Sequence, residues 1–342
     1  MRVLQAMAGA QHGGAEAFFE RLVIGLSRVG VEQKVVIRKD AARVDRLRAA
    51  GVEPTQLPFG GLLDFCTPVA LKKICRKYRP DVVLTWMNRA TRLMPAGNYA
   101  FVARLGGYYD LKYYRRCDHL IGNTQGIVDY LMGQGWPSDR AHYVPNFVSA
   151  DTVPPAPRAD QSTPDDVALL LSLGRLHQNK AFDVLLQAMP SIPKAVLWIA
   201  GEGPERDALQ AQARELGIVN RVRFLGWRQD VAALMAACDV YVCPSRHEPL
   251  GNVVIEAWAG SRPVVAAASQ GPSALIEDGV TGLLAPVESA DDLAARINQV
   301  LNDKNLARDL AKNGHGEFAA KFTEQAVVAQ YLDFFNHVME AR

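Results

Sequence analysis

The stretch DVYVCPSRHEPLGNVVIEAWAGSRPVV, Asp239–Val265, carries the strand–helix–strand pattern from which the fold class follows. It reads as an apolar strand, a loop holding proline and glycine, a short helix and a second apolar strand. NVVIEAWAG is expected to be helical despite its β-branched residues, because Ala257 and Ala259 favour helix and Gly260 stops it. Apolar strands joined by a crossover helix pair in parallel, and parallel sheets are covered on both faces. The same stretch carries two acids eight positions apart, Glu248 in the loop and Glu256 inside the greasy helix. A buried carboxylate is costly unless something meets it.

The alternation continues in both directions. Upstream, RVLQAM, EQKVVIRK, DVVLTW and DHLIGNT read as strands separated by helical patterns. SADTVPPAPRADQSTPDD (149–166) is rich in Pro, Ser and Asp and reads as a linker. Beyond it VALLLSLGRL, AVLWIAG, VRFLGW, RPVVAAAS and GLLAPV resume the strands, and helices run from Asp291 to the end. A chain of 342 residues exceeds the roughly 250 at which single cores stop growing. The expected division is an N-terminal domain over 1–149, a linker over 150–166 and a C-terminal domain over 167–324. In this division the last helix, about 325–342, returns to the N-terminal domain.

Composition narrows the classes. Hydrophobic residues make up 49% and charged residues 22%, ordinary for a water-exposed globular fold. A net charge of +2 gives no global field toward nucleic acid. The five cysteines form no CxxC and no metal pattern with the seven histidines, so a reducing, cytoplasmic setting and no bound metal are expected. No run approaches the roughly 20 apolar residues that span a bilayer.

In LSLGRLHQNKAF, Arg175 and Lys180 sit in the turn after a strand, beside a helix start, where two cations suit a diphosphate. Gly251 and Asn252 open the next candidate helix, whose free N–H groups receive oxygen ligands, and Glu256 is placed to grip the vicinal diol of a ribose. The plainer alternative gives Glu248 a surface ion pair and Glu256 the helix dipole. GEGPER (201–206) lacks the third glycine of a dinucleotide fingerprint and reads as architecture, which disfavours an oxidoreductase.

Together these pieces resemble a known family. Gly13-Gly14-Ala15-Glu16, GRLHQNKAFDVLLQA, GEGPERDAL, FLGWRQDV, EPLGNVVIEAWAGSRPVV and GPSALIEDGVTGLLAPV are similar to the retaining glycosyltransferases of the GT-B fold in glycosyltransferase family 4. The resemblance implies two doubly wound, Rossmann-like parallel-sheet domains facing across a cleft. It implies transfer of a hexose-type sugar from a UDP- or GDP-sugar to a glycan or lipid-linked acceptor, in bacterial cell-envelope polysaccharide or lipopolysaccharide synthesis. Arg175 and Lys180 would hold the donor diphosphate, Glu256 the ribose and Glu248 the transferred sugar. The backbone at Leu250, Gly251 and Asn252 would contact sugar or phosphate, and Gly13 and Gly14 would let the first loop approach the phosphates. Glu248, Arg175 and Lys180 are then the catalytic candidates, with no cofactor and no metal.

One departure stands out: Gly106, in FVARLGGYYDLKYY, occupies the place where many family members carry a histidine. Tyr108 and Tyr109 beside it are candidates to meet the acceptor. The basic segments LKKICRKYR (71–79) and LKYYRR (111–116) suggest peripheral docking on the anionic inner face of a membrane. Two other readings compete, a nucleotide-sugar epimerase of the same fold and a non-catalytic nucleotide-sugar-binding subunit.

Overall fold

The computed structural model describes residues 1–11, 13–60, 64–149 and 153–340. The chain divides into two compact units, Met1–Phe147 with Glu324–Arg342, and Val148–Thr323. In unit 1 the elements run β1 (Arg2–Met7), α1 (Gly14–Arg28), β2 (Glu32–Arg38), α2 (Ala41–Ala49), β3 (Thr55–Leu57), α3 (Cys66–Tyr78), β4 (Val82–Trp86), α4 (Met87–Leu93), β5 (Ala100–Leu105), β6 (His119–Gly122), α5 (Gln125–Gly133) and β7 (Ala141–Tyr143). Unit 2 contains β8 (Ala168–Leu173), α6 (Phe182–Ala188), β9 (Ala195–Ala200), α7 (Arg206–Glu215), β10 (Val222–Gly226), α8 (Val231–Ala237), β11 (Val240–Cys243), α9 (Asn252–Ala259), β12 (Val264–Ala267), α10 (Gln270–Leu275), β13 (Leu283–Ala285), α11 (Ala290–Asn302) and α12 (Lys304–Lys321). The final helix, α13 (Glu324–Glu340), belongs to unit 1.

Each unit holds one wholly parallel sheet. The orders are β3-β2-β1-β4-β5-β6-β7 and β10-β9-β8-β11-β12-β13. In both, the order reverses beside the first strand, between β1 and β4 and between β8 and β11. Such switch points open a crevice at the carboxyl ends of the strands.

The apolar strands feed two cores per sheet because side chains alternate faces. Along β4, Val82, Leu84 and Trp86 enter one core and Val83 the other. Along β9, Leu197 and Ile199 point one way and Val196 and Trp198 the other. Helix α13 contributes Val327, Tyr331, Phe334, Phe335 and Val338, at helical spacing, to the core that also holds Phe18, Phe19 and Leu22 of α1. Arg28 of α1 forks onto Glu324 at 2.8 Å through both carboxylate oxygens.

The expected linker 150–166 begins in residues 150–152, which lie outside the described residues. Its described part is fastened to unit 2. Ala156 N donates to Ala233 O (2.9 Å), Arg158 reaches Ala237 O (2.8 Å) and Asp239 (2.9 Å), and Trp198 Nε1 donates to Thr163 Oγ1 (2.9 Å). Its few apolar atoms hid this, since the attachments are polar and long-range.

Candidate active site

The switch point of unit 2 gathers the candidates for donor chemistry. After β8 the chain turns through Gly174 and Arg175, and Leu176 N donates to Glu202 O (3.0 Å), tying this turn to the one after β9. Gly201 fits there because a Cβ would collide with the Gly174 carbonyl. The glycines of GEGPER are thus accounted for by close approach between two backbone turns. Arg175 is exposed and makes no hydrogen bond or ion pair with a described residue. Lys180 closes the same loop, and its Nζ pairs with the Glu248 carboxylate.

Glu248 is 7% exposed, so the carboxylate in the loop after β11 is a buried group met by a cation. The loop is locked by several ties. His247 N donates to Asn179 O (3.1 Å) and Gly271 N donates to Glu248 O (2.6 Å). Arg246 reaches Gln178 O (2.8 Å), forks onto Asp183 at 2.8 and 2.5 Å, and meets Glu288 (3.0 Å). The Asp183 hydrogen bond holds the Arg246 guanidinium above its usual value. Burial works to raise the Asp183 carboxyl, and the bonds and charge of Arg246 outweigh it, holding it below the usual range.

Helix α9 forms where β-propensity alone argues against it, because tertiary packing wins. Val254, Ala257 and Trp258 are buried, and Trp258 Nε1 donates to Thr281 O (2.9 Å). Gly251 caps the start at φ 69°, a left-handed conformation where a Cβ would lie 2.7 Å from Leu275 Cδ1. Gly260 N closes the end on Glu256 O (3.1 Å). Asn252, Val253 and Glu256 share the less buried face, one turn of helix apart. Tyr241 OH, fully buried and without a hydrogen-bond partner among the described residues, is raised well above its usual pKa by burial first, then by Cys243, Glu256 and Glu248.

In unit 1 the glycine loop after β1 has an internal rationale. Glu16 is 5% exposed and accepts from Ala10 N (2.7 Å), and a Cβ on Gly13 would strike its carboxylate. At Gly14 a Cβ would meet nothing within 4 Å. Tyr108 and Tyr109 are exposed; Tyr108 packs edge-on against Tyr130 (5.3 Å), whose hydroxyl donates to Tyr109 O (3.1 Å). Arg246 and Ser269, whose buried Oγ has no partner among the described residues just before α10, belong to no motif that the sequence displays. Among the described residues no group of three or more His, Cys, Asp or Glu is placed to hold a metal ion, and no helix is long and apolar enough to cross a membrane. The five cysteines are free.

Two doubly wound parallel-sheet units in one chain are the architecture of the GT-B glycosyltransferases. Comparison with known proteins agrees. Residues 155–316 match the model for glycosyl transferases group 1, and residues 12–152 match that for glycosyltransferase family 4. The chain is 38% identical over 323 residues to the lipopolysaccharide core biosynthesis glycosyltransferase LpsE of Rhizobium meliloti, covering 94% of this chain and 95% of the relative. It is 35% identical to LpsD of the same organism over 100% of both chains. The crystal structure of Anabaena Alr3699/HepE in complex with UDP superposes with a TM-score of 0.85 at 22% identity, over 98% of this chain and 100% of that one. The chain belongs to the GT-B glycosyltransferases of family 4, and it is an enzyme of that class.

Proposed function

We propose that the protein is a retaining glycosyltransferase of lipopolysaccharide core assembly, moving a hexose-type sugar from a UDP- or GDP-sugar to a growing core oligosaccharide. The observation that carries the donor assignment is the Lys180–Glu248 pair at the switch point of unit 2, with Glu256 on the adjoining helix. The names of the two Rhizobium relatives support the acceptor class, and the UDP in the HepE complex supports a uridine donor.

In this reading Lys180 and Arg175 receive the diphosphate, and Lys180 shares itself between phosphate and Glu248. The Glu248 carboxylate then accepts hydrogen bonds from sugar hydroxyls, while Glu256 accepts those of the ribose diol. The bond from the anomeric carbon to the diphosphate oxygen breaks with its electron pair going to the diphosphate, where the fixed cations stabilise the developing charge. The acceptor hydroxyl attacks the same face and its proton passes to a phosphate oxygen, so the configuration is kept.

The enzyme works on the inner face of a membrane, and α3 supports this better than the second basic segment. Phe65 and Val69 are 73% and 69% exposed, and Lys72, Lys73, Arg76 and Lys77 follow them on exposed positions. In residues 111–116, by contrast, Lys112 pairs with Asp110 (2.7 Å), and Arg116 is spent on the carbonyls of Thr91, Arg92 and Met94.

The test is to incubate the protein with UDP- and GDP-sugars and core oligosaccharide, follow nucleoside diphosphate release, and determine the product anomer by NMR. The expected product keeps the donor's α configuration. An inverted product, or release that core oligosaccharide does not stimulate, counts against the reading.

A further inference from the structure

Arg104 on β5 is 4% exposed, and its guanidinium lies between two rings, 4.6 Å from the centroid of Phe18 and 4.8 Å from that of Trp86. Nε donates to the Tyr331 hydroxyl (3.0 Å) and Nη2 to Asn146 Oδ1. Every one of these partners is neutral, and no carboxylate among the described residues pairs with it. A buried guanidinium without a counter-charge is expensive, and rings and neutral acceptors offset only part of that cost.

Two residues on, Gly106 leaves a space that is chemically one-sided. A Cβ there would lie 3.6 Å from Asn123 Nδ2 and 4.0 Å from Arg104 Nη1, with no other described atom beyond its chain neighbours within 4 Å. Asn123 is 5% exposed and its Oδ1 has no hydrogen-bond partner among the described residues. Nη1 and Nδ2 donate to no described acceptor. Gly106 directly follows β5 and Asn123 directly follows β6, at the carboxyl edge where doubly wound sheets take ligands.

We propose that the space beside Gly106 is an oxyanion cradle, formed by Arg104 Nη1 and Asn123 Nδ2, for a carboxylate or phosphate oxygen on a sugar substrate. Two nitrogen donors lie within 4.0 Å of where a Cβ would stand, a buried cation has no counter-charge among the described residues, and only a residue without a side chain keeps the space open. Asn123 Oδ1 adds an acceptor for a neighbouring hydroxyl. Sugars carry fixed negative charge as uronic carboxylates or phosphate esters, and either fits. The inference rests on the glycosyltransferase reading for the sugar, not for the anion.

The experiment titrates the full chain and its Gly106→Ala and Asn123→Ala variants by calorimetry. The simple probes are glucuronate, inorganic phosphate and neutral glucose. The paired probes are UDP-glucuronate against UDP-glucose, and phosphorylated against dephosphorylated core oligosaccharide. Anionic probes should bind at least tenfold more tightly than their neutral counterparts. Each variant should remove that preference while leaving UDP affinity unchanged, and Gly106→Ala should also keep the parental melting temperature, since distances of 3.6 and 4.0 Å admit an alanine Cβ without collision. A preference confined to the nucleotide pair places the anion on the donor, and one confined to the oligosaccharide pair places it on the acceptor. No preference with any probe, or a preference that both variants keep, overturns the proposal. UDP affinity reports separately on the glycosyltransferase reading, because its residues lie in unit 2.

Discussion

Lys180 and Glu248, separated by 68 residues, form an ion pair between the loop after β8 and the loop after β11. The pair is partly buried, with side-chain exposures of 24% and 10%, so each member is held where a ligand must contend with the other. Lys180→Ala leaves the Glu248 carboxylate without its cation. A stability loss of about 1–2 kcal/mol is expected, below the figure for fully buried pairs because water reaches the lysine. The catalytic loss should be larger, on the order of 100- to 1,000-fold in kcat, as for other preorganised charges aimed at a leaving group. Urea melts and steady-state rates of Lys180→Ala check both; a rate within threefold of the parent contradicts the assigned role.

Arg246 acts through its neighbours. By gripping Asp183 and the Gln178 carbonyl it fastens the glutamate loop to the lysine loop. Arg246→Gln should lower kcat/KM roughly tenfold, equivalent to about 1.4 kcal/mol. Arg246→Lys should recover only part of this, because an ammonium cannot reproduce the fork. The measurement is kcat and KM well below the melting temperature. A variant that melts earlier but keeps the parental kcat/KM shows that Arg246 serves stability alone.

Acid sensitivity is expected from unit 1. His119 Nδ1 and His142 Nε2 lie 3.0 Å apart, the His337 ring is 6.0 Å from that of His142, and Phe334 packs at 4.8 Å. Burial first, then the charges of His119 and His337, brings His142 down to about 4, against a pull upward from Asp139. Burial lowers His119 as well, with Arg140 and Asp118 acting in opposite senses. The unfolded chain takes up these protons near 6.5 and the folded one does so only at lower pH. Stability is therefore fully present above about pH 6.5 and is lost as pH falls toward 4. Melting temperatures from pH 7.5 to 4 should decline through this window, and His142→Phe should flatten the decline. An unchanged slope in His142→Phe would falsify the assignment.

Membrane docking through α3 predicts a selective loss. The parent should float with vesicles of anionic phosphatidylglycerol at low salt, and Phe65→Ser with Val69→Ser should weaken binding. Lys72→Glu with Lys73→Glu should weaken it further, since each cation near such a surface is worth about 1 kcal/mol. Changes at Arg116 should not mimic this, because that side chain already serves the end of α4. Vesicle binding that is equal in parent and the α3 variants rules out this surface.

Much of the architecture was legible because it is written in local patterns. The continuous apolar runs VVLTW and AVLWIA predict strands buried on both faces, and both contribute to two cores. The short helix α9 was readable from its alanines and Gly260, although its stability comes from packing around Trp258. What escaped is long-range. Nothing near Glu248 announces that its partner is Lys180, nor does SRHEPL reveal that Arg246 will grip an acid 63 residues upstream. The glycine pair at 13 and 14 suggested phosphate approach, yet the burial of Glu16 already requires Gly13. Arg104 reads as an ordinary strand residue until its neighbours Asn146 and Tyr331 are brought in from 42 and 227 positions away.

In the proposed function, the switch point of unit 2 binds a nucleotide-sugar donor through Lys180, Glu248 and Glu256. The deciding measurement is calorimetric titration of UDP and GDP into the parent, Lys180→Ala and Glu256→Ala. The parent should bind one of the two nucleotides with a dissociation constant on the order of 1 μM to 1 mM, the range of enzyme–substrate affinities, and each variant should weaken that binding at least tenfold. Parental affinity in both variants would place the donor elsewhere and contradict the claim.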